Sequence, residues 1–309
     1  MAGVTDAAGV ASELCGLICV NKPTGFTSFD VIAKMRGILK MKRLGHGGTL
    51  DPMAAGVLPV FAGRATKACD IIPDHDKTYE AGFRLGAVSD TQDSTGTVTE
   101  RGHTDGITSA DIRRVMEDFR GDIMQIPPMY SAVSVGGKRL YELARQGVEV
   151  ERKPRPITIY SLELLDYDEK TAEGKLSVSC SKGTYIRTLI NDIGESLGCG
   201  GIMTSLVRTR ACGFTLSDCV TLEQLQDIAA SGGDFSSVIK PLEQVFADLP
   251  ELKLHGAQER MYRNGVKLDL NRLHFDKTAP RVRVFGETGF IGIAVPDTEN
   301  GVLRVEKNF

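Results

Sequence analysis

The order of strand-type and helix-type hydrophobic patterns along this chain is the feature that most restricts the folds it can adopt. Strand-type alternation occurs in KTYEAGFRLG and KLSVSC, whereas helix-type spacing occurs in TSFDVIAKMRGIL and TSADIRRVMEDFRG. These segments do not alternate regularly as the strand–helix–strand units of a parallel sheet would. The sequence therefore predicts an α+β domain with a mixed, mostly antiparallel sheet.

The predicted strands and helices place particular side chains on a shared face. In the first strand segment, alternation places on one face Tyr79, Ala81, Phe83 and Leu85. A helix capped by Thr27 or Ser28 buries a stripe formed by Phe29, Ile32, Met35, Ile38 and Leu39. A second helix begins at the capping box Thr108–Asp111.

Arg187 occupies an unusual place for a cation. After the strand KLSVSC, the dipeptide Lys182-Gly183 predicts a turn, and Thr184 is predicted to cap the next helix. Arg187 then lies in the first helical turn, where the helix dipole disfavours positive charge. We therefore expect a carboxylate to face it.

A boundary is predicted near FADLPELKL, residues 246–254. Beyond it, strand patterns alternate with glycine-containing turns, and helix signals end near Asn264. We predict a larger domain over residues 14–250 and a small β-rich domain over residues 251–309. Residues 1–13 are mostly small and are expected to be a disordered extension.

Cysteine use and hydropathy indicate the compartment. The seven cysteines show neither a CxxC pair nor Cys/His ligand spacing, which favours free thiols over disulfides or a zinc site. No apolar run is long enough to span a bilayer. The N-terminus carries Asp6 and Glu13 without the basic region of a signal peptide. We predict a cytoplasmic protein with no bound metal.

The net charge of −3 conceals two basic segments. In the first, only Asp30 and Asp51 oppose a set consisting of Lys22, Lys34, Arg36, Lys40, Lys42, Arg43, Arg64 and Lys67. The second runs from Lys138 to Arg155. Basic patches on a near-neutral chain can follow a phosphate backbone, and they also occur as ordinary solvated surfaces. Charge pattern alone leaves both interpretations open.

The segment GHGGTLDPMAAGVLPV sets one carboxylate, Asp51, among glycines and apolar residues. Asp51 could cap a short helix starting at Pro52. It could also act chemically. P-loop, GxSxG and metal-ligand patterns are missing here. The remaining chemistry is an aspartate nucleophile with an arginine counter-ion and an aromatic that holds a planar substrate, such as a nucleobase flipped out of RNA.

This segment resembles the catalytic signature of the bacterial TruB family, the tRNA pseudouridine synthases acting on uridine 55 of the TΨC loop. Further blocks resemble that family in the same order, among them VNKPTGFTSFDV, SCSKGTYIRTLINDIGESLG and LVRTRACGFTL. GFIGIA and GVLRVEKNF resemble its short PUA-like domain. The resemblance therefore implies a pseudouridine synthase domain over residues 14–250 and a PUA-like RNA-binding domain over residues 251–309.

The resemblance also implies a role for each matching residue. Asp51 would be the catalytic aspartate, paired with Arg187. Tyr79 would stack on the flipped uracil and handle its proton, while Tyr185 and Leu206 would line the base pocket.

The RNA-binding residues follow from the same resemblance. His46 would fill the space left by the flipped nucleotide, and Asp93 would contact the displaced nucleotides. Three residues would shape the pocket and meet phosphates: Lys22, Pro23 and Lys67.

Pseudouridine formation breaks the C1′–N1 bond, rotates the uracil and joins C1′ to C5, so we expect no cofactor. Sparse charge around Asp51 predicts a poorly hydrated, reactive carboxylate that Arg187 keeps ionised. Attack at C1′, attack at C6 and deprotonation of the sugar all remain open. The expected partner is the T-stem-loop of tRNA, bound by a monomer without an obligate protein partner. Another RNA hairpin as substrate and a tRNA-folding chaperone role remain alternatives.

Overall fold

The computed structural model describes residues 14–309, so the disordered extension predicted for residues 1–13 lies outside the described residues. In chain order the strands are β1 (Gly16–Lys22), β2 (Leu44–His46), β3 (Ala55–Ala62), β4 (Lys77–Leu85), β5 (Ala87–Ser89), β6 (Val98–Glu100), β7 (Gly121–Gln125), β8 (Ser134–Val135), β9 (Lys138–Arg139), β10 (Arg155–Asp168), β11 (Glu173–Cys180), β12 (Gly201–Ala211), β13 (Phe214–Thr215), β14 (Glu251–Lys253), β15 (Leu268–Asp269), β16 (Val282–Gly286), β17 (Gly289–Asp297) and β18 (Val302–Asn308). The helices are α1 (Ser28–Leu39), α2 (Ser109–Met116), α3 (Leu140–Arg145), α4 (Ile186–Ser196), α5 (Leu222–Ala230) and α6 (Gly256–Arg263).

A nine-stranded sheet forms the body of the molecule. Its main path runs β1-β3-β12-β4-β11-β10-β7, with β2 beside β3 and β13 beside β12. Among the strand pairs described in this sheet, β3–β12 is parallel and the others are antiparallel. The predicted α+β class with a mixed, mostly antiparallel sheet is confirmed.

Side-chain alternation explains how helices cover this sheet. The four residues predicted to share one face of β4 are all buried: Tyr79, Ala81, Phe83 and Leu85. They share a core with the apolar faces of α2 and α4. On β1, Ile18 and Val20 face α1 and α5, whereas Leu17 and Cys19 join a separate core. Helices α2 and α4 therefore pack against β4, and helices α1 and α5 pack against β1.

Helix α1 begins as predicted but buries a different stripe. Thr27 is the N-cap and forms a capping box with Asp30. The buried residues of the helix are Ser28, Val31, Ile32, Met35 and Leu39. Phe29 is 64% exposed, so its predicted burial is wrong. The stripe that starts at Ser28 continues at Val31 and Ile32, three and four residues on, and this leaves Phe29 outside it.

Helix α4 also begins differently from the prediction. Its N-cap is Tyr185, without a side-chain capping bond, and Thr184 instead donates from Oγ1 to the Ser181 carbonyl at 3.0 Å. The predicted Thr184 cap is therefore wrong, because that hydroxyl closes the preceding turn. Arg187 nevertheless lies in the first turn, as expected.

Residues 251–308 form a second sheet, with the order β14-β16-β17-β18-β15. Ile293 of this sheet belongs to the core that contains Leu17 and Cys19. Lys307 Nζ also lies 2.6 Å from the Asp70 carboxylate, so the second sheet packs on the first. The division of the chain into domains at residues 250/251 stays a prediction. No helix within residues 14–309 is long and apolar enough to cross a membrane.

Two helical glycines test the packing that positions α4. A Cβ on Gly194 would lie 2.3 Å from backbone atoms of Gly200 and Gly201, whereas one on Gly37 of α1 would meet nothing within 4 Å. We expect Gly194→Ala to lower the free energy of unfolding by about 1–3 kcal/mol, since α4 must move off β12. Gly37→Ala, the matched control, should raise it by roughly 0.5–1 kcal/mol. Urea denaturation measures both, and equal effects would contradict this packing.

Candidate active site

Asp51 lies on the connection between β2 and β3. Its carbonyl accepts a hydrogen bond from the Ala54 N–H at 3.0 Å, closing a turn, and β3 begins at the next residue. The interpretation of Asp51 as a helix cap is therefore wrong. Its side chain is 40% exposed, so the predicted poor hydration is also wrong. Leu50 and Ala54 occupy the buried positions around it, which leaves the carboxylate at the surface.

Arg187 faces two carboxylates. Its Nη2 lies 3.1 Å from Asp51 Oδ2, and its Nη1 lies 3.6 Å from Asp93 Oδ2. Nη2 also donates to the Tyr130 carbonyl at 2.7 Å. The guanidinium is 7% exposed, and its Nε has no hydrogen-bond partner among residues 14–309. The expected partner of this helix-start cation is thus Asp51, together with a buried second acid.

Asp93 supports Arg187 from the interior. It is 3% exposed, and its Oδ1 accepts hydrogen bonds from Thr91 Oγ1 at 2.7 Å and from the Thr95 N–H at 2.9 Å. The β5–β6 loop folds around this carboxylate. The predicted contact of Asp93 with displaced nucleotides is therefore corrected, because its oxygens are already engaged inside the protein.

Tyr79 provides a buried aromatic ring beside Asp51. It shares one core with Leu50 and Leu206, and the register of β12 on β4 sets Leu206 opposite Ala81. Burial raises the pKa of the Tyr79 phenol to about 12, the charge of Arg208 opposes this rise, and the charge of Asp51 adds to it. The phenol is therefore neutral near pH 7.

Tyr185 is held by a side chain that the sequence analysis missed. Gln125, 3% exposed at the end of β7, accepts from the Tyr185 N–H at 2.8 Å and donates to its carbonyl at 3.1 Å. The Arg187 guanidinium lies 5.9 Å from the centre of the Tyr185 ring. The pairing of Gln125 with Tyr185 fixes the start of α4. Nothing in the local sequence of β7 indicated it.

Lys22 does not reach the surface. It is fully buried, and its ammonium donates to the carbonyls of Pro23 at 2.9 Å, Phe26, and Pro52 at 3.4 Å. Its predicted phosphate contact is therefore wrong. Burial lowers the pKa of Lys22 to about 8, while the Asp51 charge opposes that shift. Lys22 instead holds the backbone next to Asp51.

Lys67 and His46 have different surroundings. Lys67 Nζ donates to the Asn308 carbonyl at 2.7 Å, so it ties the C-terminal strand to the first sheet. His46 ends β2, is half-buried, and accepts at Nδ1 from the Gly48 N–H at 3.4 Å. Burial and then the Arg208 charge lower the pKa of His46, which favours the neutral ring. The space-filling role of His46 stays a prediction.

Arg208 is the second residue that the sequence analysis missed. It is fully buried on β12, where its register partner on β4 is Tyr79. Its side chain donates to the carbonyls of Val57 at 2.7 Å, Gly48 at 3.1 Å and Thr49 at 3.4 Å. A cation two residues from Leu206, and thus on the same strand face, was the available signal.

No group of three or more His, Cys, Asp or Glu side chains within residues 14–309 could hold a metal ion. All seven cysteines are described and carry free thiols.

Comparison with protein families gives two adjoining matches. Residues 36–186 match the N-terminal domain of TruB family pseudouridylate synthases, and residues 187–247 match the C-terminal domain of tRNA pseudouridylate synthase B. The chain belongs to the TruB family. The TruB matches end before the second sheet, so its PUA-like character stays a prediction.

Individual relatives agree with this membership. A tRNA pseudouridine synthase B from Heliobacterium modesticaldum is 50% identical over 78% of this chain and 78% of its own length. One from Dehalococcoides mccartyi is 43% identical over 92% of this chain and 93% of its own. Among solved structures, a chain of a Cbf5-Nop10-Gar1 complex has a TM-score of 0.74 at 26% identity, covering 95% of this chain and 84% of that one. The likeness to these proteins thus extends over nearly the whole chain.

The two carboxylates at Arg187 should differ in their effect on stability. Asp93→Asn removes a buried charge from a buried guanidinium, so we expect the free energy of unfolding to fall by about 3 kcal/mol. Asp51→Asn breaks a pair whose acid is 40% exposed, and its cost should stay below about 1 kcal/mol because water screens that charge. Urea denaturation at pH 7 compares them. A larger loss for Asp51→Asn would show that Asp93 is not the main support of Arg187.

Proposed function

We propose that this chain converts uridine 55 in the T-loop of tRNA to pseudouridine, with Asp51 acting on a base flipped out of the loop. The observation that carries the proposal is the Asp51–Arg187 ion pair at the edge of a core containing Tyr79 and Leu206. TruB family membership and relatives named tRNA pseudouridine synthase B support it.

The ion pair supplies an oriented, accessible carboxylate. Arg187 is anchored by Asp93 and by the Tyr130 carbonyl, so its position does not depend on Asp51 alone. Asp51 remains 40% exposed and can therefore reach a substrate in solution. Attack at C1′, attack at C6 and removal of a sugar proton all begin from an ionised Asp51.

Tyr79 and Leu206 provide the surfaces for a planar base. A base stacked on an aromatic ring gains attraction that does not depend on its hydrogen-bonding edges. With its pKa raised to about 12, the Tyr79 phenol can donate a hydrogen bond and is a poor base near pH 7. We assign stacking to Tyr79, and we assign uptake of the proton that leaves C5 to the Asp51 carboxylate, either directly or through the Tyr79 hydroxyl as a relay.

The overall change balances within the nucleotide itself. The C1′–N1 bond breaks, the C1′–C5 bond forms, and a proton leaves C5 while N1 gains one. No electrons are gained or lost, so Asp51, Tyr79 and Arg187 suffice as the protein groups we assign.

Exposed basic side chains support tRNA as the partner. They include Lys40, Lys42, Arg43, Arg64, Lys138, Arg139, Arg145, Lys153 and Arg155. Such groups bind phosphates with release of condensed counterions, so the affinity falls as the salt concentration rises. We propose that the protein acts on tRNA as a monomer in the cytoplasm.

The decisive variant is Asp51→Asn. It keeps the size of the side chain and removes the reactive carboxylate, so we expect pseudouridine formation on unmodified tRNA to fall below detection. tRNA affinity should persist, because stacking and phosphate contacts do not need that charge. Mapping of pseudouridine and a filter-binding titration measure the two quantities.

Two controls define the result. Asp105→Asn changes an exposed loop carboxylate and should behave like the wild-type protein. A tRNA with cytidine at position 55 should yield no pseudouridine. Turnover by Asp51→Asn would remove Asp51 from the mechanism, and modification of the cytidine-55 tRNA at another position would reject the assigned site.

A further inference from the structure

Arg208 is a buried cation for which the proposed chemistry has no use. Its side chain is fully buried, and no carboxylate of residues 14–309 lies within 4.0 Å of its nitrogens. Burying an unpaired charge is expensive unless hydrogen bonds replace its hydration. Its side chain donates to three backbone carbonyls of the segment that carries Asp51, and it also interacts with the neighbouring Tyr79 phenol.

The guanidinium holds this segment on both sides of Asp51. Nη2 and Nη1 donate to the carbonyls of Gly48 and Thr49, which precede Asp51 in the chain. Nε donates to the carbonyl of Val57, which follows it. One planar group thus bridges the two ends of the turn.

The main chain of Arg208 adds a contact that the side chain does not make. Gly56 pairs with Arg208 in the parallel β3–β12 register and has a φ of +104°. A Cβ on Gly56 would lie 2.2 Å from the Arg208 carbonyl oxygen. Only glycine allows this approach. The start of β3 therefore packs directly against the backbone of Arg208.

The same residue also connects this segment to the base-stacking ring. In the antiparallel β12–β4 register, Arg208 lies opposite Tyr79. Two residues earlier on the same strand, Leu206 lies opposite Ala81. Arg208 thus links the segment that carries Asp51 to the strand that carries Tyr79.

We propose that Arg208 is a positioning residue that sets Asp51 against the stacking face of Tyr79 by binding the carbonyls of Gly48, Thr49 and Val57. Its catalytic consequence rests on the proposed function, whereas its effect on the loop does not. Arginine suits this position because its planar fork presents separate nitrogens in fixed directions. Lysine offers one nitrogen and can reach only part of the set.

Three variants test the assignment in the full-length protein. Arg208→Met removes every donor, Arg208→Lys keeps the charge and one nitrogen, and Arg210→Met is the control. Arg210 lies on the same strand with 40% of its side chain exposed and pairs with Asp74. Hydrogen–deuterium exchange of residues 47–57 without RNA reports on the loop. The single-turnover rate at saturating tRNA and the tRNA affinity report on chemistry and binding.

For Arg208→Met, we expect faster exchange in residues 47–57, a saturating rate lower by about 100-fold, and unchanged tRNA affinity. Arg208→Lys should restore part of both the rate and the protection. Arg210→Met should match the wild-type protein in all three measurements.

Wild-type exchange in residues 47–57, or a wild-type saturating rate, in Arg208→Met would overturn the proposal. If Arg208→Met does not fold, Arg208→Lys decides by the same measurements. If Arg208→Lys also unfolds, Arg208 is required for folding and the separate positioning role is rejected. A lower rate in Arg208→Lys without a change in loop exchange rejects it as well. A wild-type protein inactive on tRNA, with the loop loosened in the Arg208 variants, would reject the proposed function and retain the positioning.

Discussion

The pairing of Arg187 with Asp51 and Asp93 is the interaction on which the arrangement of this site depends. It joins the β2–β3 turn, the β5–β6 loop and the start of α4. Asp93 is buried and Asp51 is partly exposed, so the two acids have different roles. Asp93 compensates the guanidinium inside the protein, so Asp51 can remain exposed toward a substrate without leaving a buried cation unpaired.

Backbone groups around Asp51 are bound by side chains from separate parts of the chain. Lys22 binds the carbonyl of Pro52, and Ser28 Oγ accepts from the Leu50 N–H at 2.8 Å. Arg208 binds the carbonyls of Gly48 and Thr49. A turn rich in glycine loses much conformational freedom on folding, so rigidity here must come from such tertiary bonds.

The errors in the sequence analysis have a common physical origin. The family resemblance assigned Lys22 to phosphates and Asp93 to nucleotides, yet each side chain is buried and bound by partners that are distant in sequence. Phe29 was placed in the core because it is apolar, but the position of a helix face is set by what the helix packs against. The local sequence shows which side chains are costly to bury. Only the folded chain shows which of them have hydrogen-bond or ion-pair partners that offset this cost.

Sequence alone determined the α+β class, the alternation of β4 and the start of α1, because these follow from local periodicity and capping. The apolar period of α4 also placed Arg187 in a first helical turn, although the predicted cap at Thr184 was wrong. The resemblance of its motifs also placed the chain in its family. Tertiary structure alone revealed Gln125 and the partners of Arg208, and it decided that Asp51 is exposed while Asp93 is buried. Hydrogen bonds across sheet neighbours depend on register between segments more than a hundred residues apart, as for Arg208 and Val57. Local sequence carries no record of that register.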